Sequence, residues 1–382
     1  MNYFSHLFQC PRYFLFLCGA VALVVARESA CAEMVELASS PPAGYFAVEL
    51  NGASDNHVSV PLFRAATTYA KVTAVQPNQI ICAAAGFTPR RFATGIGPGG
   101  VPQGAYHVEF TSGHLKGVSY RILDNSGDGI VVETEGDDLT AHPLGALAFG
   151  DTVRIRPAWT VGSLFGNNED EVIIEKQPND FVIKDSVLLY DQDRVGTNKA
   201  PSREFFYVEG EGWRVRGGGV IDMGEQPIGA GEPFLVRRKG MEALSMIVVG
   251  VPLREQAVVF VQGASATQSN DFYVALAQAE PVRLNASGLV DAVTPSQSVV
   301  QSSPSILRRT DLLLEWANGQ AGFNRAPARI YYYLAGQGWR QAGSASTTVG
   351  NDVILEPGRA YIIRKAIGNP GKDWVQPMPV TE

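Results

Sequence analysis

Charged residues and cysteines are both scarce in this sequence. Charged residues make up 18% of the 382 residues, while Gly (40) and Pro (23) are plentiful. Helix bundles expose faces rich in Glu, Lys and Arg, so this composition favours turn-rich β structure. The length is typical of two or three domains at the usual ~100–200 residues each.

Cysteine is nearly absent beyond residue 32, where only Cys82 occurs. A chain cleaved at that point cannot form an internal disulfide, so it is not a small disulfide-stapled scaffold. Cys82 lies in the apolar stretch QIICAAAG, which favours a buried, inert thiol over a catalytic one. A net charge of −7 with scattered basic pairs gives no electrostatic footprint for nucleic acid.

Residues 1–32 have the features of an export signal. Arg12 precedes the apolar run YFLFLCGAVALVVA, and Ala30-Cys31-Ala32 offers a small-x-small cleavage site. The run is shorter than the ~20 residues that a membrane span needs, although an uncleaved anchor stays an alternative. A lipoprotein signal at Cys31 is disfavoured because Glu28 stands where Leu is expected. We therefore predict a signal peptide and a secreted protein, at the cell surface or extracellular rather than periplasmic.

The chain contains an internal repeat. Asp185–Arg214 pairs with Asp311–Arg340 at an offset of 126 residues, and twelve of the thirty paired positions are identical. One residue out of register, IGAGEPFLVRRK then matches LEPGRAYIIRKA, which aligns Arg237 with Arg364. A weaker Gly-Ala-Ser match precedes each copy. Two copies favour duplicated β lobes, because a solenoid needs three or more repeats.

Both copies show the alternation of β-strands. In RIYYYLAGQGWR, Tyr331 and Tyr333 point to one face and Tyr332 to the other, before a Gly-x-Gly turn leads to Trp339. No segment resembles a long capped amphipathic helix. We predict an all-β protein with two related sandwich- or barrel-like lobes, in which Trp213 and Trp339 are buried at equivalent places.

The repeat also divides the chain into predicted domains. We expect a signal peptide (1–32), an N-terminal β module (33–158), a first β lobe (159–252) and a second β lobe (253–382). The segment from about Tyr69 to Ala158 has no counterpart in the second copy. It is predicted to be a small β barrel or sandwich, inserted in or appended to the first lobe.

The stretch DNSGDGIVVETE has the spacing of a calcium-binding loop. Asp124, Ser126 and Asp128 occupy positions 1, 3 and 5, with Gly129 at position 6 and Glu135 at position 12. The flanking segments indicate strands rather than the two helices of an EF-hand, and an extended chain would carry Glu135 ~15 Å from the turn. We favour a polar hairpin turn and keep Asp124, Ser126 and Asp128 as a candidate Ca²⁺ site.

Two aromatic clusters are candidates for a ligand-binding surface. One holds Phe206 near Trp213, and the other holds Tyr332 near Trp339. Exposed rings bind sugars by stacking, whereas strand alternation favours rings in a core. Phe206 and Tyr332 are the candidate platform residues, and Tyr332 is predicted to be exposed because it lies on the opposite face from its neighbours.

The remaining patterns predict no catalytic or cofactor site. His107 and Glu109 share a strand face, but zinc needs three or four ligands. The glycine-rich loop 95–100 is interrupted by Pro98 and followed by a strand, unlike a phosphate-binding loop. GSLFG at 162–166 has the wrong order for a nucleophile elbow. Carboxylates are numerous, and the sequence does not show which two converge, so a hydrolase stays open.

Several stretches together resemble a known family. GASD…VPL, GDDL…GD…I.P.W..G.LF (Gly136–Phe165), N.AP…YYY…GWR and PG.AYIIRK are similar to exported proteins of unknown function, which occur as multiple paralogues in bacteria of the Verrucomicrobium group. The likeness covers nearly the whole mature chain, and the paired GWR units are its most specific part. The resemblance implies an exported, β-rich member of a multi-copy family and supplies no activity or site residues.

We therefore expect an exported, non-enzymatic surface protein that binds or packs against something outside the cell. The expected partners are an extracellular glycan, an envelope protein or further copies of the chain, with no nucleic acid and no cofactor beyond the candidate Ca²⁺. A secreted carbohydrate-active hydrolase and a self-assembling coat or sheath subunit are the alternatives.

Overall fold

The computed structural model describes residues 43–95, 104–134, 136–179, 181–182, 184–229, 231–344 and 349–378. The predicted signal peptide, most of the glycine-rich loop at 95–100 and Glu135 lie outside these residues. No helix among the described residues is long and apolar enough to cross a membrane.

Strands dominate the described residues, which contain one short helix, so the predicted all-β class is confirmed. In chain order the strands are β1 (Gly44–Leu50), β2 (Ser54–Val58), β3 (Leu62–Phe63), β4 (Thr68–Lys71), β5 (Ala74–Gln76), β6 (Gln79–Ile81), β7 (Tyr106–Phe110), β8 (Ser119–Asn125), β9 (Gly129–Glu133), β10 (Thr152–Pro157), β11 (Trp159–Thr160), β12 (Ser186–Leu189), β13 (Arg203–Val208), β14 (Gly212–Val215), β15 (Pro227–Ile228), β16 (Phe234–Arg238), β17 (Leu244–Pro252), β18 (Val258–Val261), β19 (Asn270–Ala275), β20 (Val282–Arg283), β21 (Leu312–Glu315), β22 (Arg329–Leu334), β23 (Gly338–Gln341), β24 (Ile354–Leu355), β25 (Ala360–Lys365) and β26 (Lys372–Val375). Helix α1 is Val161–Phe165, and 3₁₀ turns cover Leu284–Ala286 and Pro295–Gln297.

Strands β4–β10 form one seven-stranded antiparallel sheet in the order β4-β10-β7-β8-β9-β6-β5. We call this part, residues 68–157, the insert. Its own core includes Val108, Phe110 and Ile122, none of which is exposed. Cys82 belongs to this core, and burial raises the pKa of its thiol to about 11. The buried, inert thiol predicted from the sequence is consistent with this position.

The other strands form two five-stranded sheets with corresponding orders. We call residues 44–63 and 159–252 the N-lobe, and residues 258–375 the C-lobe. The N-lobe sheet runs β2-β16-β12-β13-β14, and the C-lobe sheet runs β19-β25-β21-β22-β23. Each position holds the equivalent strand of the repeat, so the weak match that precedes each copy corresponds to β2 and β19.

The smaller sheets follow the same duplication. β1 pairs with β17 as β18 pairs with β26, and β11 pairs with β15 as β20 pairs with β24. β1, β2 and β3 thus pair with strands from 159–252 rather than with the insert, and the N-lobe is discontinuous in sequence. As domain limits, the bounds 33–158, 159–252 and 253–382 stay predictions.

The two repeated tryptophans occupy equivalent buried places. Trp213 is 1% exposed and Trp339 is 2% exposed. Each meets a tyrosine edge-on, with ring centroids 5.7 Å apart in both lobes, Tyr207 for Trp213 and Tyr333 for Trp339. Both tryptophans belong to the core of their own lobe, as the repeat predicted.

Candidate binding cleft at the seam between the lobes

A polar contact that we call the N-clasp joins Asp55, Arg237 and Asn324 across the seam between the lobes. Asp55 on β2 lies opposite Arg237 on β16, whose Nε and Nη2 donate to the two carboxylate oxygens at 2.7 and 3.0 Å. Arg237 also donates to Asn324 Oδ1 of the C-lobe at 2.9 Å, and the Asn324 N–H donates to Asp55 at 2.7 Å. Bidentate pairing fixes geometry as well as energy, so the Asn324 turn is held against β2.

The C-clasp is the same contact with the lobes exchanged. Arg364 on β25 donates to both oxygens of Asp271 on β19, at 2.7 and 2.8 Å. Arg364 donates to Asn198 Oδ1 of the N-lobe at 2.9 Å, and the Asn198 N–H donates to Asp271 at 2.7 Å. Each lobe therefore holds a turn of the other.

The repeated Gly-x-Asn sequence explains the shape of both turns. Asn198 and Asn324 have φ values of 50° and 49°, a left-handed conformation that Asn adopts more readily than most residues. Two residues earlier, the carbonyls of Gly196 and Gly322 accept the N–H groups of Asp271 and of the equivalent Asp55 at 2.8 and 3.0 Å. The motif thus presents a carbonyl, an N–H group and an amide oxygen to the opposite lobe.

Ring pairs fill the seam in the same reciprocal way. Tyr190 of the N-lobe stacks on Tyr273 of the C-lobe with centroids 3.9 Å apart. Trp316, the equivalent of Tyr190, stacks on His57, the equivalent of Tyr273, at 4.6 Å. Burial lowers the pKa of His57 to about 4, although Asp55 acts in the opposite direction. This imidazole is therefore neutral near pH 7.

Side-chain amides bind the backbone beside each ring pair. Asn318 accepts the His57 N–H at 3.1 Å and donates to the His57 carbonyl at 2.7 Å. Gln192, its equivalent in the N-lobe, makes the same two bonds to Tyr273 at 3.1 and 3.2 Å. These contacts satisfy backbone groups that would otherwise be buried unpaired.

A cleft of about 320 Å³ opens at this seam, and we call it the seam cleft. The outer edge of β1 forms one wall, since Phe46 to Glu49 all line the cleft and β1 is an edge strand. Gly358 of the C-lobe lies against the Phe46 ring, where a Cβ atom would collide with it. The other lining residues are Asn51, Val58, Asn318, Gly319, Pro357 and Arg359.

Among the described residues that line the cleft, Glu49 carries a carboxylate and Arg359 a guanidinium. Glu49 is exposed, and no ion pair or hydrogen bond of its carboxylate is found among the described residues. The Arg359 guanidinium lies 3.5 Å from the buried Glu315 carboxylate, which also accepts the Tyr331 hydroxyl at 2.9 Å. Burial, with Glu315 nearby, raises the pKa of Tyr331. The ion pair with buried Glu315 thus positions the Arg359 guanidinium, while 41% of the Arg359 side chain stays exposed.

The candidate Ca²⁺ residues lie in a tight hairpin turn between β8 and β9. Ser126 Oγ donates to Asp128 Oδ1 at 3.0 Å and accepts the Gly129 N–H at 2.9 Å, while Asp124 accepts the Asn125 N–H at 2.9 Å. Within the described ranges, no three His, Cys, Asp or Glu side chains form a group that could hold a metal ion. The Ca²⁺ site stays a prediction, and the hairpin turn favoured from the sequence is present.

The prediction that Tyr332 is an exposed ring is wrong, and Phe206 is buried as well. Each side chain is only 3% exposed. The Arg309 guanidinium lies 5.2 Å over the Tyr332 ring, and buried Arg214 lies directly across the strand from Phe206. Alternation predicted the face that each ring occupies, but not the chain segments and arginines that cover the second face.

His107 and Glu109 are also occupied structurally. The Glu109 carboxylate accepts Arg154 Nε at 2.7 Å and Arg156 Nε at 3.0 Å. Burial and the nearby Arg121 charge together lower the pKa of His107 to about 4, although Glu109 acts in the opposite direction. Both residues lie on β7 of the insert, where Glu109 is opposite Arg154 and His107 is opposite Arg156 on β10, and neither lines the seam cleft.

Sequence reasoning missed the clasps, although the repeat contained a signal for them. Asn198 and Asn324 are identical between copies, as are Arg237 and Arg364, whereas many apolar positions differ. A polar residue retained at an equivalent place in both copies indicates a specific partner more strongly than an apolar residue does. The partners could not be assigned, because Asp55 lies 182 residues from Arg237.

Comparison with known proteins found no matching family model, no similar curated protein and no similar solved structure. The resemblance to exported proteins of the Verrucomicrobium group therefore stays a hypothesis.

Proposed function

We propose that this protein is a non-enzymatic binding protein that acts outside the cell, and that the seam cleft holds a polar ligand such as part of an extracellular glycan. The observation that carries the proposal is the seam cleft itself, about 320 Å³ in volume and built from both lobes. That volume is within the ~300–1,000 Å³ typical of ligand pockets, which occur preferentially between domains.

The groups around the cleft support recognition of a ligand that is both polar and apolar. Glu49 offers acceptors and Arg359 offers donors, while Phe46, Val48 and Val58 supply an apolar floor. A glycan has hydroxyl groups that both donate and accept, together with apolar ring faces. The alternative hydrolase requires two carboxylates flanking the scissile bond, whereas the described lining contributes Glu49 alone. This composition favours binding over hydrolysis.

The clasps support a preformed site. Asp55 and Asp271 fix the lobes on both sides of the seam, so the walls of the cleft are positioned before a ligand arrives. A preorganised site loses less conformational freedom on binding than a flexible one.

A glycan array followed by calorimetry tests the proposal. We expect the full chain to bind a subset of glycans, and Glu49→Gln and Arg359→Gln each to weaken binding about tenfold, since hydrogen bonds to charged groups contribute about 1.5–3 kcal/mol. Exposed Glu242 and Arg308 supply matched controls, and Glu242→Gln and Arg308→Gln should leave binding unchanged. Absence of glycan binding, or binding indifferent to both cleft variants, contradicts the proposal.

One surface favours self-association as the second candidate. On the β1–β17 ribbon, Tyr45 lies opposite Val249 and Ala47 lies opposite Ile247, so these side chains share one face. Tyr45, Val249 and Ile247 are 80%, 66% and 65% exposed, beside the open edge of β1. Open edges with apolar neighbours pair readily with another copy. Sedimentation velocity over a concentration series would show association that Tyr45→Ser abolishes and that Val293→Ser, a change at an isolated exposed site, leaves intact.

A further inference from the structure

The two repeated tryptophans differ in what their indole N–H groups bind. Of the five tryptophans, Trp159, Trp213, Trp316 and Trp374 each donate to a backbone carbonyl at 2.7–2.9 Å. Within the described part of the chain, no acceptor is bonded to the Trp339 N–H group. The Trp339 Nε1 atom is also not among the fully enclosed polar side-chain atoms of the described residues that lack a partner, so this N–H group faces open space rather than packed core.

In the N-lobe, helix α1 fills the space beside Trp213. Thr160 Oγ accepts the Ser163 N–H, and Ser163 Oγ accepts the Thr160 N–H, which closes a capping box at the start of the helix. The helix places Phe165 against Trp213, with ring centroids 6.1 Å apart. It ends at Gly166, whose carbonyl accepts the Trp213 N–H at 2.7 Å. The Trp213 ring is therefore packed, and its N–H group is hydrogen-bonded, by residues of the N-lobe itself.

In the C-lobe, the corresponding segment is a shorter 3₁₀ turn, Leu284–Ala286. The backbone bond from Gly162 to the Gly224 carbonyl in the N-lobe recurs as a bond from Asn285 to the Gly350 carbonyl, which establishes the equivalence. The turn supplies neither an aromatic ring nor a carbonyl to Trp339. Asn285 stands where the N-lobe has the tightly enclosed Gly162.

The result is a cavity of about 140 Å³ beside Trp339, which we call the Trp339 cavity. The pyrrole edge of Trp339 lies against Gly350, which also lines the cavity. The side chains that line it are Trp339, Tyr333, Asn285, Asn351, Val290 and Ala292.

The polar groups of the cavity are a mixture of donors and acceptors. Asn285 Nδ2 donates to Asn351 Oδ1, which orients the two amides. Among the described residues, the Asn285 Oδ1 atom, the Asn351 side-chain NH₂ group and the Tyr333 hydroxyl make no other hydrogen bond, and the Trp339 N–H group is likewise free. None of the described lining residues carries a charge. Such a lining matches a neutral ligand and offers no compensation for a charged one.

We propose that the Trp339 cavity is a second ligand site, which takes one neutral sugar ring with a hydroxyl oxygen that accepts the Trp339 N–H. The ring's apolar face lies against Val290, Ala292 and the aromatic side chains, as sugars lie on aromatic platforms. A volume of about 140 Å³ is below the ~300 Å³ of sites for drug-sized ligands, so the site takes one ring or a chain end. The site lies entirely in the C-lobe and does not depend on the seam cleft.

Nitrogen-15 NMR of the full chain, labelled at the tryptophan indoles, tests the site directly. Each tryptophan gives one indole N–H signal, and Trp339→Phe identifies that of Trp339. The probes are glucose, galactose and N-acetylglucosamine, with glucuronate as the charged comparison. We expect at least one neutral sugar to shift the Trp339 signal saturably at millimolar concentrations, while the Trp213 signal stays in place.

Substitutions that leave Trp339 intact provide the second measurement. Asn351→Ala and Asn285→Ala should each weaken the probe about five- to tenfold, the loss expected for a neutral hydrogen bond. Asn78→Ala, at an exposed position in the insert, is the matched control and should change nothing. Glu49→Gln should also leave this signal unaffected, which separates the result from that of the seam cleft.

Three outcomes overturn the proposal. One is that no neutral probe moves the Trp339 signal. Another is that Trp213 and Trp339 signals move together, which indicates a general solvent effect. The third is that glucuronate binds more tightly than glucose, which contradicts a neutral site.

Discussion

Asn324 of the C-lobe donates its backbone N–H to the Asp55 carboxylate of the N-lobe at 2.7 Å. Asn198 of the N-lobe does the same to Asp271 of the C-lobe at the same distance. This reciprocity is the contact pattern of an isologous dimer interface, here built within one chain by duplication. The two lobes consequently behave as the halves of a dimer whose subunits are covalently joined.

The clasps should contribute strongly to stability. Asp55 and Asp271 are 3% and 1% exposed, and removing one carboxylate charge leaves an arginine without its partner in a largely buried site. We expect Asp271→Asn to lower the free energy of unfolding by about 3 kcal/mol, near the low end for breaking a buried pair because Arg364 is partly exposed. Urea denaturation measures this loss. Asp55→Asn should match it, and a change below about 1 kcal/mol for both would contradict the role of the clasps.

The asparagine turns allow backbone and side-chain effects to be separated. Asn324→Gly keeps the left-handed conformation available and removes only the amide contact with Arg237, at about 1 kcal/mol. Asn324→Ala removes the same contact and adds about 1 kcal/mol of left-handed strain. The alanine variant should therefore unfold at lower urea than the glycine variant. Equal midpoints would indicate that the φ value of 49° is not maintained in solution.

The fold class and the duplication could be predicted from the sequence alone. Alternation and turn residues predicted strands, and the repeat predicted that Trp213 and Trp339 are equivalent and buried, which the structure confirms. These features depend on local periodicity or on comparison of the chain with itself. Both are present in the order of residues without any knowledge of tertiary contacts.

The seam could not be predicted in the same way. Its contacts join residues distant in sequence, such as Asn318 and His57, which lie 261 residues apart. The same limit explains the error at Tyr332, because the residue that covers its ring, Arg309, lies in a segment with no strand periodicity. The Trp339 cavity arises from a missing helix rather than from a motif, so only comparison of the folded lobes reveals it.

Two glycines provide a matched test of the seam cleft wall. Gly358 and Gly368 have φ values of 75° and 78°, but a Cβ atom would collide with Phe46 only at Gly358. Gly368→Ala should cost about 1 kcal/mol for the left-handed conformation. Gly358→Ala should cost about 1–3 kcal/mol more, since Phe46 must move. Thermal unfolding distinguishes them, and ligand binding in the cleft should weaken in the Gly358 variant alone.

If the chain is exported through a signal peptide, its mature form has a defined N-terminus and thiol content. Cleavage after Ala32 would leave Glu33 at the N-terminus and remove Cys10, Cys18 and Cys31, so one thiol should remain. Intact mass spectrometry of protein recovered from native cell fractions, with thiol counting after unfolding, measures both. Recovery at the cell surface or in the medium supports the binding proposal. A chain that retains its first residues in the cytoplasm contradicts it.

His57 should make stability depend on pH. Its pKa is about 4 in the folded protein, against 6.5 for the unperturbed imidazole of the unfolded chain. Between about pH 6.5 and 4, the unfolded state therefore binds a proton that the folded state does not bind. The contribution of His57 to the free energy of unfolding is complete above about pH 6.5 and declines by about 1.4 kcal/mol per pH unit as the pH falls toward 4.

His57→Phe keeps a ring against Trp316 without a titrating group. Between about pH 6.5 and 4.5, urea denaturation should show a smaller loss of stability in this variant than in the unmodified chain. Buried His107 contributes a loss of the same sign, so the variant should keep part of the slope rather than none. Parallel curves for the two proteins would show that His57 is protonated equally in the folded and unfolded states, and that the seam is open to water at this position.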